Sequence, residues 1–179
     1  MAGKTIVVGI SGASGAVYAQ RLLDLLEADA RVERVLLVVS SGGLRLLRDE
    51  LKISVRDQSQ LPAALVGRKT KKIENIPVSN IGASIASGVT DNLLKRAADV
   101  HLKEGRPLLL CWRDTPLNTI HLENMLRVAR AGGINMPISP GYYFGAKNLD
   151  ELVTQFCCRV LARLGLPQGE QFEWKGTKG

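Results

Sequence analysis

A glycine-rich stretch, Gly9-Ile10-Ser11-Gly12-Ala13-Ser14-Gly15-Ala16, stands between an apolar run and a helical pattern. The run is Thr5-Ile6-Val7-Val8, and the pattern is Tyr18 followed by Leu22, Leu23, Leu25 and Leu26. Strand, glycine turn and helix in that order is the geometry of an anion site in an α/β protein. Glycines let the backbone turn tightly and come close to a ligand. The helix start offers unpaired N–H groups and the positive end of its dipole. The spacing is Gly-x-x-Gly-x-x-Gly, which differs from the dinucleotide fingerprint Gly-x-Gly-x-x-Gly. A tight strand-to-helix turn with no ligand is the alternative reading.

The rest of the chain continues the alternation. Residues 4–10 read as a buried parallel strand, and residues 15–28 as a helix. Val35-Leu36-Leu37-Val38-Val39 is a second strand, ending at Ser40-Ser41-Gly42-Gly43. Small polar residues at the C-terminal end of a strand lie where open α/β sheets bind ligands. Residues 44–52 suit a short helix with Arg45, Arg48 and Lys52 on its wet side. From Ile53 to Val78 the pattern is weak, apart from a turn of helix at Leu61–Val66. Residues 79–88 are small and polar. Thr90 or Asp91 can cap a helix running to about Glu104, on which Arg96, Asp99 and Lys103 share a face. By composition alone, that face reads as a surface with ordinary ion pairs.

Pro107–Trp112 is a further buried strand, ending in the charged pair Arg113-Asp114 at the ligand edge. Thr115 and Pro116 fit the cap and first position of the next helix. That helix carries Ile120, Leu122, Met125, Leu126 and Val128, and stops at Gly132-Gly133. Its His121 is either a base or, as is commoner for a lone helical histidine, a structural residue. Residues 134–138 form a short last strand, and Pro140-Gly141-Tyr142-Tyr143-Phe144 a loop rich in aromatics. Asn148 and Glu151 resemble a capping box. The last helix turns Leu149, Leu152, Val153, Phe156, Val160 and Leu164 inward, with Arg159 beside that stripe. The expected fold is a three-layer α/β/α sandwich on a mostly parallel sheet, flavodoxin-like or Rossmann-like. Its domain spans residues 1–167, and residues 168–179 form a loose tail whose Trp174 anchors on a neighbour.

Charge narrows the ligand. The net charge of +7 suits an anionic ligand or a nucleic acid. Aromatics make up only 4% of residues, too few for single-strand stacking platforms, and the cations collect at predicted ligand edges rather than along one face. No apolar run approaches the ~20 residues of a membrane helix. The N-terminus lacks the apolar core of a signal peptide, so the expected address is the cytoplasm. Cys111, Cys157 and Cys158 show no metal spacing and read as reduced, buried thiols.

Several motifs taken in register resemble the flavin prenyltransferases of the UbiX type, a family that includes the small subunits once named aromatic-acid or phenolic-acid decarboxylases. Gly9–Ala16 is similar to the family's opening motif. Asp91-Asn92-Leu93-Leu94-Lys95-Arg96-Ala97-Ala98-Asp99-Val100, with Leu102-Lys103-Glu104, looks like its central helix. Arg113-Asp114-Thr115-Pro116-Leu117 resembles its Arg-Glu-Thr-Pro-Leu turn. Ile120-His121-Leu122-Glu123-Asn124-Met125 and Pro140-Gly141-Tyr142-Tyr143 match as well.

The resemblance implies an enzyme that joins the prenyl unit of dimethylallyl monophosphate to N5 and C6 of reduced FMN and releases phosphate, with no metal. It implies a homo-oligomer, a dodecamer of trimers, and a partner decarboxylase of the UbiD type that takes the prenylated flavin. Gly12, Ala13, Ser14, Ser40 and Arg113 would hold FMN. Tyr143 and Arg159 would hold the prenyl phosphate, with Arg96 and Lys103 completing a cationic cup. Ser14 and Asp114 would be catalytic, Ser14 relaying a proton. Asp114 replaces the family's usual Glu and is one methylene shorter.

One departure sets this chain apart. The family carries a further apolar strand, ending in a Pro-Cys-Ser-x-x-Thr-Leu turn that helps bind FMN. Here Ala83-Ser84-Ile85-Ala86-Ser87-Gly88 runs directly into Val89-Thr90-Asp91. Roughly 25–30 residues, about one strand with its connection, are absent relative to that pattern. A central strand beside residues 4–10 is therefore expected to be missing, unless residues 73–86 or a neighbouring subunit replace it. The alternatives to a prenyltransferase are another FMN-dependent enzyme on the same scaffold, such as a cysteine-peptide decarboxylase, and a degenerate FMN-binding or assembly subunit without activity. The cysteine-peptide decarboxylase type would carry a His base at the flavin and a Pro-x-Met-Asn loop, and the sequence shows neither.

Overall fold

Branched apolar residues at successive positions favour an extended chain that can be covered on both faces. In the computed structural model, which describes residues 3–76 and 93–173, two such runs pair in parallel. They are β1 (Lys4–Ile10) and β2 (Val32–Val39), in register from Ile6 opposite Val35 to Ile10 opposite Val39. A short strand, β3 (Ile73–Asn75), extends the sheet beyond β2. The order is β1-β2-β3, so β2 is central. Its Val35, Leu37 and Val39 are fully enclosed.

The helices of this half supply the cover. They are α1 (Ala16–Ala28), α2 (Ser41–Leu51) and the short α3 (Leu61–Val66). Leu23 and Leu26 of α1, Leu47 of α2 and Leu61 and Leu65 of α3 join the strand residues in one apolar core. Leu161 of the last helix, α6 (Leu149–Arg163), and Leu166 after it complete that core. Tyr18 of α1 meets Phe156 of α6 edge-on, with ring centroids 5.3 Å apart. Asp29 fastens the end of α6. It accepts from Arg31 at 2.6 Å and from the Gln168 amide at 3.0 Å, while Arg31 also donates to the Pro167 carbonyl at 2.9 Å.

The remaining elements are α4 (Leu93–Lys103), β4 (Leu109–Leu110), α5 (Thr119–Arg130) and β5 (Ile134–Asn135). β4 and β5 pair in parallel as a second, two-stranded sheet. Among the described residues β1 is bonded to β2 alone, and Leu94 of α4 packs against Gly9 of β1. Among the described residues the strands thus form two sheets, with β1 at an edge of the first. The class is α/β, with parallel strands alternating with helices.

Several boundaries differ from the sequence pattern. α2 starts at Ser41 rather than at residue 44, so Gly42 and Gly43 lie inside its first turn. Close packing explains these glycines, because a Cβ on Gly43 would sit 2.5 Å from the Ile10 carbonyl oxygen. β3 has three residues, too few for a periodic signal. β4 and β5 cover only two residues each of the expected runs. α5 starts after Asn118, not at Thr115-Pro116. The Asn118 side chain accepts the His121 N–H at 2.9 Å and the His121 ring accepts the Asn118 N–H at 3.5 Å, a reciprocal cap that sets the start there. The small polar segment 79–88, the caps at Thr90 and Asp91 and the Trp174 anchor lie outside the described residues.

Candidate active site

The parallel register of β1 and β2 brings their two following turns side by side. Ser40, just after β2, is 3% exposed and caps α2, its hydroxyl accepting the Gly43 N–H at 2.8 Å. Its own N–H donates to the Ile10 carbonyl, which ties the two turns together. Gly12 and Gly42 meet backbone to backbone, and a Cβ on either would come within 3.3 Å of the other's Cα. Gly15 has φ +113°, a left-handed conformation that favours glycine, and it sets the N-terminus of α1.

That N-terminus already holds an anion, the side chain of Glu50 on α2. Its carboxylate accepts the Gly15 N–H at 3.0 Å and the Ala16 N–H at 2.8 Å. Ser14 also bonds to it, and this is the largest influence holding the Glu50 carboxyl below the usual carboxylate range. The two backbone N–H groups and the Arg113 charge act in the same direction, while partial desolvation opposes them. Two expected site residues, Ser14 and Arg113, are thus brought together with Gly15 of the glycine motif around a residue that sequence reasoning missed. Glu50 carries no local motif, and its only signal was a carboxylate three turns along a helix that starts beside the glycine turn.

Arg113 follows β4, and the chain that leaves β5 reaches the glycine turn, since Ile138 Cδ1 lies 3.9 Å from the Cβ position of Gly15. Asp114 points back along its own turn. One carboxylate oxygen accepts the Thr115 N–H at 2.9 Å, and the other stands 4.0 Å from the His121 ring. His121 serves the cap of α5 and belongs to the structural alternative.

A second cluster involves α6 and the aromatic loop. Arg159 donates to the Tyr143 hydroxyl at 3.3 Å. Tyr142 lies close enough to Tyr18 to add to the burial that raises the Tyr18 phenol, so the loop borders the first turn of α1. Cys157 beneath it donates to the Tyr18 carbonyl, and burial pushes its thiol up to about 12, out of nucleophile range. Arg96 and Lys103 are exposed on α4. Among the described residues no group of His, Cys, Asp or Glu is placed to hold a metal ion.

FMN would need a phosphate site and an open planar face. Ser11, Gly12 and Ala13 are exposed at the sheet edge, and Ser40 caps the neighbouring helix with a hydroxyl still able to donate. Arg113 adds a cation beside Glu50. This donor set fits a phosphorylated flavin.

Parallel strands, a glycine turn and a cationic rim define an α/β flavin-binding class. Residues 1–156 match the family model described as Flavoprotein, and the chain belongs to that family. Within it the chain aligns with named prenyltransferases. It is 34% identical over 182 residues to the flavin prenyltransferase UbiX of Methanocaldococcus jannaschii, covering 94% of this chain and 97% of that protein. The dodecameric FMN-dependent UbiX-like decarboxylase of Escherichia coli O157:H7 superposes with a TM-score of 0.77 at 33% identity, over 97% of this chain and 100% of that one. AnUbiX (PadA1), solved with FMN and dimethylallyl pyrophosphate, gives 0.77 at 30% identity, over 99% and 100%.

Proposed function

We infer that this chain is a flavin prenyltransferase, transferring a dimethylallyl group from dimethylallyl monophosphate to reduced FMN. The observation that carries the reading is the Ser14–Glu50–Arg113 cluster closed around the glycine turn. The likeness to a structure holding FMN and a dimethylallyl phosphate supports it.

Gly12, Ala13, Ser14, Ser40 and Arg113 would hold FMN, which when bound and reduced supplies the nucleophilic N5 and C6. Arg159 and Tyr143 hold the prenyl phosphate, and Arg96 and Lys103 add positive charge around it. Phosphate departure builds negative charge, and fixed donors aimed at it lower the barrier. A rigid guanidinium fork suits this better than water. The departing phosphate is itself a competent base. The Ser14 hydroxyl, bonded to Glu50, gives a second route for a proton leaving the acceptor nitrogen. Asp114 is placed at the same edge, with a shorter reach than Glu. The apolar and aromatic loop around Tyr143 shields the carbon centre from water.

The product suits a decarboxylase of the UbiD type. The dodecameric neighbour supports a homo-oligomer, and a trimer is its proposed unit. The described residues contain no helix long and apolar enough to cross a membrane. The cytoplasm is the proposed site of action, because both substrates are phosphate anions that cross a bilayer poorly.

Anaerobic incubation with reduced FMN and dimethylallyl monophosphate, followed by mass spectrometry of the flavin, tests the reading. A flavin heavier by one C5H8 unit is expected. Bound FMN with no heavier product overturns the transferase reading. The division of the sheet beside β1 favours a second reading, an FMN-binding or assembly subunit without transfer activity, and that result would select it.

A further inference from the structure

Residues 168–173 continue past α6 and fold back onto it. The Gln155 side chain on α6 fastens this strap at two points. Its amide donates to the Glu170 carbonyl at 2.7 Å, and its carbonyl accepts the Phe172 N–H at 2.7 Å. One side chain therefore satisfies two backbone groups of an otherwise irregular segment. The Arg21–Glu170 ion pair, at 3.6 Å, adds a third tie to α1.

The ring delivered by this latch is Phe172. It lies 5.7 Å from the Tyr143 ring and 6.0 Å from Phe144, while Tyr143 and Phe144 meet edge-on at 6.0 Å. The three rings form a mutual contact set, all within the separations at which aromatic pairs attract. Tyr143 is 56% exposed and Phe172 42% exposed, so neither is held by burial in the main core. Ring contact and the Arg159 hydrogen bond help to set the place of the Tyr143 hydroxyl. A phenol free to leave Arg159 would present a poorer phosphate site, because its ordering would be charged to each binding event.

Resting on the prenyltransferase reading, we propose that Gln155 and Phe172 are positioning residues for Tyr143, and that the latched strap sets the affinity for the prenyl phosphate. Neither residue needs to touch the substrate. Gln155 acts on the strap, Phe172 on the ring, and the ring on the phosphate.

The test is calorimetric titration of dimethylallyl monophosphate into the FMN-bound full chain and its variants. Phe172→Ala and Gln155→Leu are expected to weaken binding roughly three- to tenfold, the loss of one or two ring contacts. Phe172→Tyr keeps the ring and should bind within about twofold of the parent. In steady-state assays the loss should fall on KM, with kcat and FMN affinity unchanged. A merely structural role would reduce FMN retention and kcat together. Tyr143→Phe combined with Phe172→Ala should bind no worse than Tyr143→Phe alone, since the two act through one hydroxyl. Parent-like binding by Phe172→Ala, or full additivity in the double variant, overturns the proposal while leaving the activity intact. Failure of the parent chain to bind the monophosphate overturns the prenyltransferase reading itself, and this proposal with it.

Discussion

β2 and β4 are both apolar runs that end at the ligand edge, yet Val35, Leu37 and Val39 of β2 are enclosed while Leu109 and Leu110 of β4 stay half-exposed. The helices repeat the contrast. α1 buries Ala16, Leu23 and Leu26, whereas α5 buries only Val128 and leaves Ile120, Leu122 and Leu126 in solvent. The two halves use similar residues, so hydrophobicity alone does not separate them. Neighbours do. β2 has a strand on each side and helices packed near it, while β4 has β5 alone among the described residues. Burial belongs to the pairing as much as to the side chain, and among the described residues the second half has one strand pair and no third strand to complete its pairing.

The largest effect should come from core truncation on the two sides of that contrast. Leu37→Ala removes a fully enclosed side chain and should cost about 2–5 kcal/mol in urea unfolding. Leu126→Ala removes one that is 49% exposed and should stay within about 0.5 kcal/mol. Equal losses would mean that α5 is covered in solution, and the contrast between the halves would then dissolve into an assembly contact.

Next in size is the phosphate cluster, which joins α6 to the less enclosed loop. Arg159→Met leaves the Tyr143 hydroxyl without its cationic neighbour. A charged hydrogen bond is worth about 1.5–3 kcal/mol, so kcat/KM for dimethylallyl monophosphate should fall roughly 10- to 100-fold. FMN retention, which rests on the glycine turn, Ser40 and Arg113 rather than on Arg159, should not change. A parallel loss of flavin would tie the two clusters into one unit.

What the sequence made readable follows the same division. The Gly9–Ala16 turn was legible because an apolar strand, three glycines and an amphipathic helix follow one another within two dozen residues. Ser40 was legible as a strand-end hydroxyl, but its capping of α2 was not, since Gly42 and Gly43 read as a turn and their true reason is contact with Gly12 and Ile10. Glu50 was invisible because its partners, Gly15 and Ala16, are about 35 residues away and only the parallel register brings them near. β3 escaped notice because three residues show no period. Tyr143 and Arg159 were paired by resemblance, and the structure bonds them, whereas Phe172 lay in a stretch read as a loose tail.

Glu50 offers a pH-dependent test centred on the well-packed half, with Arg113 of the other half adding to its shift. Glu50→Gln removes the charge that caps α1 and should cost about 1 kcal/mol at neutral pH. The carboxyl titrates below its ordinary value in the folded chain. Its stabilisation is therefore present above the unfolded glutamate value of about 4.3 and is lost as pH falls through the lower folded value. The stability gap between parent and variant should be constant from pH 7 to 5 and close below about 4. A gap that persists at low pH would assign Glu50 to packing rather than to charge.

The smallest effect expected is at Asp114, on the less enclosed side. Asp114→Glu adds one methylene to an exposed carboxylate, so unfolding free energy should move by less than about 0.5 kcal/mol. Its chemistry should respond more than its stability. In the parent, one oxygen is turned back to the Thr115 N–H and the other faces His121 at 4.0 Å, so the group spends its reach on its own turn. A longer side chain can leave that turn and extend toward the edge where Arg113 and Glu50 meet. Prenyl transfer should then quicken by about two- to fivefold in kcat, a barrier change below roughly 1 kcal/mol, with KM for FMN unchanged. A slower variant would mean that the site already fits the shorter acid. The two halves would then have adjusted to one another, and the exposed face of β4 and α5 would be part of that adjustment.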